Sequence, residues 1–460
     1  MKKKIYLVSL GCPKNLVDSE MLLHTAANEG WEIVGDSREA DLLVVNTCGF
    51  IEDARQESLE CIRGCLDIKE AAGTKDAVEV VVAGCMARMP AALAESDLRR
   101  IDHIVGLGEL GAFRRIVSRA GRRAGGRPKR SVLFPGPSTP RLVTGFGHST
   151  YVKIGDGCSR KCSFCLIPSI RGRGVSAGPR KILGEVRDLA SFGVREIVLV
   201  SQDTTAYGAD LAGRGAALVE LLKNIVKVEG IEWIRIMYLY PHRSLHGLFD
   251  FMRENRKVVP YIDMPVQHGS DRMLRLMRRG HGTRLLDDLI GRARERVPGI
   301  AIRTTLLVGH PGEDEESFEQ LLGFMRRHRF ERIGIMKYSD EKRTKAFSMR
   351  EKVPPRIAED RCERAVDAAS RILRSHQRKM VGRTAEVMLD EKDAPSRSSR
   401  QVRGGSGTWY GRLATQAPEV DGGVIVKAVA SGHRSGDIIR VRITKVSGID
   451  LEGEASAHTR

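Results

Sequence analysis

The chain has 460 residues with 76 Lys and Arg against 58 Asp and Glu, a formal net charge of +18, nine cysteines, and hydrophobic and charged fractions of 41% and 29%. That length suggests about three domains of soluble composition, and no apolar run approaches the ~18 residues needed to cross a bilayer, which argues against a membrane protein. Nine cysteines without a secretory leader argue for reduced thiols and metal ligation rather than disulfides, hence the cytoplasm, and the basic charge points to an anionic partner, most simply RNA.

The apolar patch within Met1–Leu10 is too short for a signal-peptide core and reads as a first strand. Residues 1–125 alternate strands with helical patterns: Ile5–Leu10 then Asn15–Glu29, Asp41–Asn46 then Ile51–Glu70, Val78–Ala83 then Ala87–Leu98. This is the pattern of a doubly wound α/β domain, in which ligands bind where loops leave the carboxyl ends of parallel strands. Cys12, Cys48 and Cys85 each follow directly after one of these strands, one β-α unit apart, so the spacing predicts three thiols meeting at one edge of the sheet as a metal-cluster site. Asn15, Asn46 and Thr47 beside them read as turn and cap residues. Cys61 and Cys65 share a helix face with no third partner, and Cys362 stands alone in a long helix; all three read as packing residues.

From Arg114 to Arg130 there are eight Lys or Arg and no acid, leading into a proline-rich stretch. Residues 126–143 are expected to be an exposed basic linker. Beyond it, over 144–378, six strands alternate with helical patterns: Tyr151–Ile154, Glu196–Ser201, Trp233–Tyr240, Val259–Val266, Ala301–Val308 and Arg332–Tyr338. Six β-α units suit a partial (β/α)6 barrel with its chemistry at the carboxyl ends of the strands.

The loop leaving the first of these strands holds Cys158, Cys162 and Cys165 in a C-x3-C-x2-C spacing. Three soft thiolates at such short intervals suit one face of a four-iron cluster, leaving one iron open to chelate S-adenosylmethionine. Zinc is the alternative, but it takes four ligands, and no His or fourth Cys lies nearby in the sequence. Gln202, Asp203, Gln267, His268, Gly309, Pro311 and Gly312, at the ends of later strands, are candidate contacts for that molecule, and the Tyr240-Pro241-His242 cluster joins them as a candidate substrate contact.

A long helix, Arg356–Lys379, leads to a segment of short β-branched runs, Thr384–Met388, Val424–Ala428 and Asp437–Val446, interrupted by a Gly/Ser/Arg loop over Ser396–Gly407. Residues 379–455 are expected to form a small antiparallel β-barrel of a kind used for RNA or protein recognition.

Two cysteine triads, a six-strand barrel and a terminal β-module together resemble the methylthiotransferases, radical SAM enzymes with an N-terminal cluster domain and a C-terminal TRAM domain. Gly11-Cys12-Pro13-Lys14-Asn15-Leu16-Val17-Asp18-Ser19-Glu20, Met237-Tyr238-Leu239-Tyr240-Pro241, Tyr410-Gly411-Arg412 and Ala417-Pro418-Glu419-Val420-Asp421-Gly422 are similar to the RimO-type branch, which modifies a ribosomal protein. The chain departs from that pattern at Asp156, at His310 and at Lys342-Arg343-Thr344, in loops expected to line the substrate channel.

The resemblance implies methylthiolation of the β-carbon of an aspartate in small-subunit ribosomal protein S12 by an enzyme with two 4Fe-4S clusters. One S-adenosylmethionine donates methyl to a sulfur held at or near the Cys12, Cys48, Cys85 cluster. A second is cleaved at the Cys158, Cys162, Cys165 cluster to a 5′-deoxyadenosyl radical that abstracts hydrogen from carbon, a step no side-chain base could perform. The partners implied are the ribosomal protein, rRNA or tRNA along the basic surface, and an electron donor such as flavodoxin or ferredoxin. Two alternatives stay open: a tRNA methylthiotransferase of the MiaB type, and a non-catalytic iron-sulfur sensor that binds RNA.

Overall fold

The computed structural model describes residues 2–73, 78–89, 93–118, 131–211, 217–392 and 407–456. The first part runs β1 (Lys4–Ser9), α1 (Pro13–Asn28), β2 (Glu32–Ile33), β3 (Leu42–Thr47), α2 (Glu52–Ala72), β4 (Glu79–Gly84), α3 (Glu95–Arg100), β5 (His103–Val105) and α4 (Leu110–Ser118). Its parallel sheet has the order β2-β1-β3-β4-β5. β3 is buried along its whole length, as its unbroken Leu42-Leu43-Val44-Val45 run requires of a central strand covered on both faces. One face packs Leu22 and Ala26 of α1 with Phe113 and Ile116 of α4; the other packs Leu59, Ile62 and Leu66 of α2. The register pairs Ser9 with Asn46 and Thr47 with Gly84, so the loops after β1, β3 and β4 leave at one level.

The second part comprises β6 (Ser149–Lys153), β7 (Gly155–Asp156), α5 (Ile167–Ile170), β8 (Val175–Ser176), α6 (Pro179–Ser191), β9 (Glu196–Val200), α7 (Ala217–Ile225), β10 (Trp233–Ile236), α8 (Leu245–Glu254), β11 (Val258–Asp263), α9 (Asp271–Leu276), α10 (Thr283–Arg296), β12 (Ala301–Val308), α11 (Glu315–His328), β13 (Arg332–Lys337) and α12 (Pro355–Arg378). Six of these strands form a parallel sheet in the order β13-β12-β11-β10-β9-β6, the expected partial barrel. Its helix-covered face carries the largest core, including Val152, Leu199, Ile236, Ile262 and Leu306.

The third part, β14 (Thr384–Lys392), β15 (Trp409–Leu413), β16 (Val424–Lys427), β17 (Ile438–Ser447) and β18 (Asp450–Ala455), closes as the barrel β14-β15-β16-β18-β17. Its pairs are antiparallel except β16 with β18, which run parallel. This barrel seats on the inner face of the central sheet, where Met388, Ala414, Ala417 and Ile438 join Tyr151, Val198, Tyr261 and, from α1, Leu16 and Val17 in one cluster. The seat is ionic at its base. Glu196 accepts from Arg235 at 3.0 Å and pairs with Arg412 at 2.7 Å; Arg412 also donates to Asp390 at 2.7 Å, which meets His148 at 2.8 Å, and all five residues are buried. The loop after β15 reaches the sheet, its Glu419 accepting from the Tyr151 hydroxyl at 3.1 Å and its Asp421 from the Tyr261 hydroxyl at 2.7 Å.

Several expectations need correction. β10 ends at Ile236 and β11 at Asp263, short of the predicted Tyr240 and Val266, and left-handed turns follow at Tyr238 (φ +61°) and Gln267 (φ +77°). The predicted helix Ala87–Leu98 is a 3-10 turn at Met86–Arg88 and a separate α3. The linker is not simply exposed over 131–143: Phe134 is buried in the central core, and Arg141 lies buried between Glu20 and Glu185. Its first part, 126–130, most of the basic run and residues 396–406 of the Gly/Ser/Arg loop lie outside the described residues.

Candidate active site between two cysteine triads

Cys12 caps α1, with Pro13 at its first position; Cys48 follows β3 and Cys85 follows β4. Gly11 makes the approach of the first two possible. Its φ is +87°, and a Cβ there would stand 2.9 Å from the Cys48 Sγ, so only glycine fits. Asn15 lashes the strand exits together, donating to Leu10 O at 2.7 Å and Thr47 O at 3.1 Å, while Asn46 returns a bond to Asn15 O at 2.8 Å. Thr47 donates to Ala83 O at 2.5 Å and accepts from the Met86 amide at 3.1 Å, which fixes the Cys85 turn. The three polar residues are thus holders of the loops, as expected. Burial pushes the Cys85 thiol up to about 11. Burial also acts to raise Cys12, yet the Lys14 and Arg171 cations bring it below its ordinary value. A metal must displace these protons to bind, and the soft three-thiol donor set fits an iron-sulfur group with one face left to other ligands.

The second triad lies in the loop after β7. Burial raises Cys158 to about 11 and Cys165 to about 12. The sulfurs already receive hydrogen bonds, from the Arg160 amide to Cys158 at 3.4 Å and from the Arg279 guanidinium to Cys162 at 3.2 Å, the contacts that tune a cluster's thiolates. Arg160 and Arg279 both stack on Tyr240, at 3.8 and 4.3 Å from its centroid. A cleft of about 390 Å³ opens beside Cys158, lined by Asp156, Gly174, Ser201, Asp203 and Tyr207 among others. Gly157 (φ +80°) lets the loop pass the Arg173 carbonyl, which a Cβ would approach to 2.3 Å. Among the described residues no three His, Cys, Asp or Glu side chains are grouped to hold a single metal ion.

Between the triads lies Arg171, at the end of α5 and 1% exposed. It donates to Asp156 at 3.1 Å on its own side and to Asp18 at 3.3 Å and Asn15 at 3.1 Å on α1. Lys153 joins the same two acids. The paired cations hold the Asp156 carboxyl well below the usual carboxylate range despite its burial. A second link crosses at the edge, Arg55 of α2 to Glu341 at 2.8 Å, and leaves Lys342 and Arg343 exposed next to it.

Of the seven predicted S-adenosylmethionine contacts, two bond to residues at the second triad's loop, and five lie in the loops after β11 and β12. Gln202, donating to Asp156 at 3.2 Å, and Asp203, accepting from Arg160 at 2.6 Å, stand at the second triad. Gln267 splices β12 through its backbone, accepting from the Leu307 amide at 2.8 Å. His268 is fully buried 3.4 Å from Glu313, and the Gly309 amide donates to the same carboxylate, which Arg361 holds at 3.0 Å. Pro311 accepts from His310 at 2.8 Å, and the Gly312 amide donates to Glu351 O at 2.7 Å. His268, Gly309, Pro311 and Gly312 are thus tied into the fold of their own loops. Sequence reasoning missed Arg171, Lys153, Asp18 and Arg279, whose partners lie far away in the chain.

Three family models match this chain: the radical SAM superfamily over residues 152–325, uncharacterized protein family UPF0004 over 4–106 and the TRAM domain over 381–455. The chain is 41% identical to ribosomal protein uS12 methylthiotransferase RimO of Sorangium cellulosum, covering 98% of this chain and 91% of that one. It is 38% identical to the protein of the same name from Geotalea uraniireducens, covering 99% and 98%. Among solved structures it is similar in fold to the radical S-adenosylmethionine methyltransferase TsrM of Kitasatospora setae, with TM-score 0.52, 16% identity and 73% of each chain covered. The cobalamin-dependent radical enzyme OxsB superposes with TM-score 0.52 at 12% identity, over 80% of this chain and 56% of that one.

Proposed function

The chain belongs to the RimO family of radical SAM methylthiotransferases, and from that membership and the two triads we infer that it adds a methylthio group to the β-carbon of an aspartate in ribosomal protein uS12. Cys12, Cys48 and Cys85 hold one 4Fe-4S cluster and serve sulfur and methyl delivery; Cys158, Cys162 and Cys165 hold the other. When bound, the second cluster supplies the electron that cleaves S-adenosylmethionine. Asp203, which lines the 390 Å³ cleft, and Gln202, which donates to Asp156 of that lining, face that molecule. Arg279 and the Arg160 amide fix the thiolates, and Arg171 keeps the two halves in one orientation, so that the carbon is presented to both. Residues 1–125, 144–378 and 379–455 act as cluster domain, radical SAM domain and TRAM domain.

The alternating outer face of β17 exposes Arg440 and Arg442, which suit backbone phosphates of rRNA flanking the protein substrate. Electrons come from a flavodoxin or ferredoxin, and the reaction belongs to the cytoplasm; no helix among the described residues is long and apolar enough to cross a membrane. What supports the reading above all is similarity along nearly the whole chain to uS12 methylthiotransferases together with six cysteines in two strand-end triads. Mass spectrometry of ribosomal proteins and tRNA from a deletion strain tests it. Loss of the methylthio mass from uS12 is expected; an unchanged uS12 with a tRNA that has lost methylthio groups would reverse the substrate assignment.

A further inference from the structure

Lys14 is two residues beyond Cys12, in the first turn of α1, and only 5% exposed. Its Nζ lies across the boundary between the two triads, 3.5 Å from the centroid of the Tyr238 ring. Tyr238 is the left-handed residue at the exit of β10, and its amide donates to Asp263 at 3.1 Å. The acids at this mouth are already engaged. Asp263 pairs with Arg303 at 3.3 Å, Asp156 pairs with Arg171 at 3.1 Å and Lys153 at 3.3 Å, and Asp18 meets the same two cations. Among the described residues no carboxylate forms an ion pair with Lys14. Cys12 exerts the strongest opposite charge on Lys14, with Asp263 and Asp156 weaker, and a buried cation with no carboxylate within ion-pair reach has room for a ligand that completes the pair. The aromatic face beneath it steadies the ammonium but neutralises no charge.

We propose that Lys14 is the counter-ion for the side-chain carboxylate of the substrate aspartate and selects that residue over its uncharged amide. The inference rests on the aspartate substrate assigned above. A carboxylate at Lys14 sits next to Cys12 on one side and the β10 exit on the other. The carbon bonded to it is the one that must be reached from both triads. Recognition by charge also separates the two isosteric side chains: an amide in the same place leaves the ammonium unpaired.

The test uses the reconstituted full-length protein, a synthetic uS12 peptide carrying the target aspartate, and the same peptide with asparagine, with binding followed by fluorescence anisotropy. The unsubstituted protein should prefer the aspartate peptide by at least about tenfold, and Lys14→Met should lower affinity for it by roughly ten- to a hundredfold while leaving the asparagine peptide unaffected, so that the preference disappears. Lys14→Arg should recover part of the preference. Iron content and the cluster's electron paramagnetic resonance spectrum should match those of the unsubstituted protein. A preference that persists in Lys14→Met overturns the proposal, as does loss of iron from that variant, which would make Lys14 a support of the first cluster. An unsubstituted protein that neither binds the peptide nor modifies uS12 removes the substrate reading and this inference together; one that modifies uS12 while Lys14→Met binds normally removes this inference alone.

Discussion

The Ser163 hydroxyl and the His310 Nε2 are joined by a 2.9 Å hydrogen bond that spans 147 residues of sequence. The His310 Nδ1 meets the Pro311 carbonyl at 2.8 Å, which can only accept, so Nε2 is the bare nitrogen and the serine hydroxyl donates. Ser163 lies between Cys162 and Phe164, and its backbone is tied to Met277 O and the Ala346 amide. The departure at His310 therefore props the cysteine loop from below.

This prop is expected to fail in acid. Burial lowers the His310 pKa from 6.5 to about 4, so between those values the unfolded chain binds a proton that the folded chain excludes. Stability from this group is complete above about 6.5 and is lost as pH falls toward about 4, amounting to on the order of 2–3 kcal/mol. Melting temperatures at pH 5 and pH 7 should differ less in His310→Phe than in the unsubstituted protein. Equal differences in the two proteins would show that the ring is not the titrating prop.

The triads should separate in function. Anaerobic reconstitution is expected to load two clusters, and replacing Cys158, Cys162 and Cys165 with Ala should leave about four irons and abolish formation of 5′-deoxyadenosine. Replacing Cys12, Cys48 and Cys85 should instead remove methylthiolated product while S-adenosylmethionine cleavage continues uncoupled. Loss of cleavage in that second variant, with the remaining cluster spectroscopically intact, would show that the first triad carries electrons or structure to the second.

Cys61 and Cys65 give the control. Cys65 is buried in the α2 core with Cys61 packed against it, so changing both to Ser should leave iron content as it was. A fall in iron would mean that one of them reaches a cluster.

Arg171→Met would strand Asp156 and Asp18 beside a single cation, Lys153. Removing one partner from a buried network costs on the order of 3–5 kcal/mol, which urea denaturation should read as a lower midpoint. Arg171→Lys should recover only part, because a lone ammonium cannot reproduce the bonds to Asp156, Asp18 and Asn15. A midpoint unchanged in Arg171→Met would remove this residue as the tie between the two halves.

The parts legible in the sequence are those with local periodicity. β1, β3 and β4 announce themselves as apolar runs ending at cysteines, and β12 lies where its Ala301–Val308 run predicts. β2 and β5, of two and three residues, are too short to show alternation. The apolar run past Ile236 continues without a strand because the backbone turns left-handed at Tyr238, a change no hydropathy pattern records. The site followed the same division. Six cysteines stand out by spacing, but Arg171 lies 153 residues from Asp18, and Arg279 lies 117 from Cys162. The burial of His268 and Gly309 against Glu313 and α12 is likewise a tertiary fact that no local pattern records.

The seat of the terminal barrel sets an order of events during synthesis. Glu196 and Arg235 are buried charges in adjacent strands of the central sheet, and Arg412, which pairs with Glu196, Ala414, whose carbonyl accepts from Arg235, and the capping loop through Asp421 are translated some two hundred residues later. Until that segment emerges, the inner face around Tyr151, Val198 and Tyr261 is covered in part by Leu16 and Val17 of α1, and a nascent chain stalled before residue 409 leaves Glu196 and Asp390 without the Arg412 cation they share. The sheet thus matures only after β15 arrives, and a shortened chain ending at α12 should be recognised by chaperones as unfinished rather than released as a smaller catalyst.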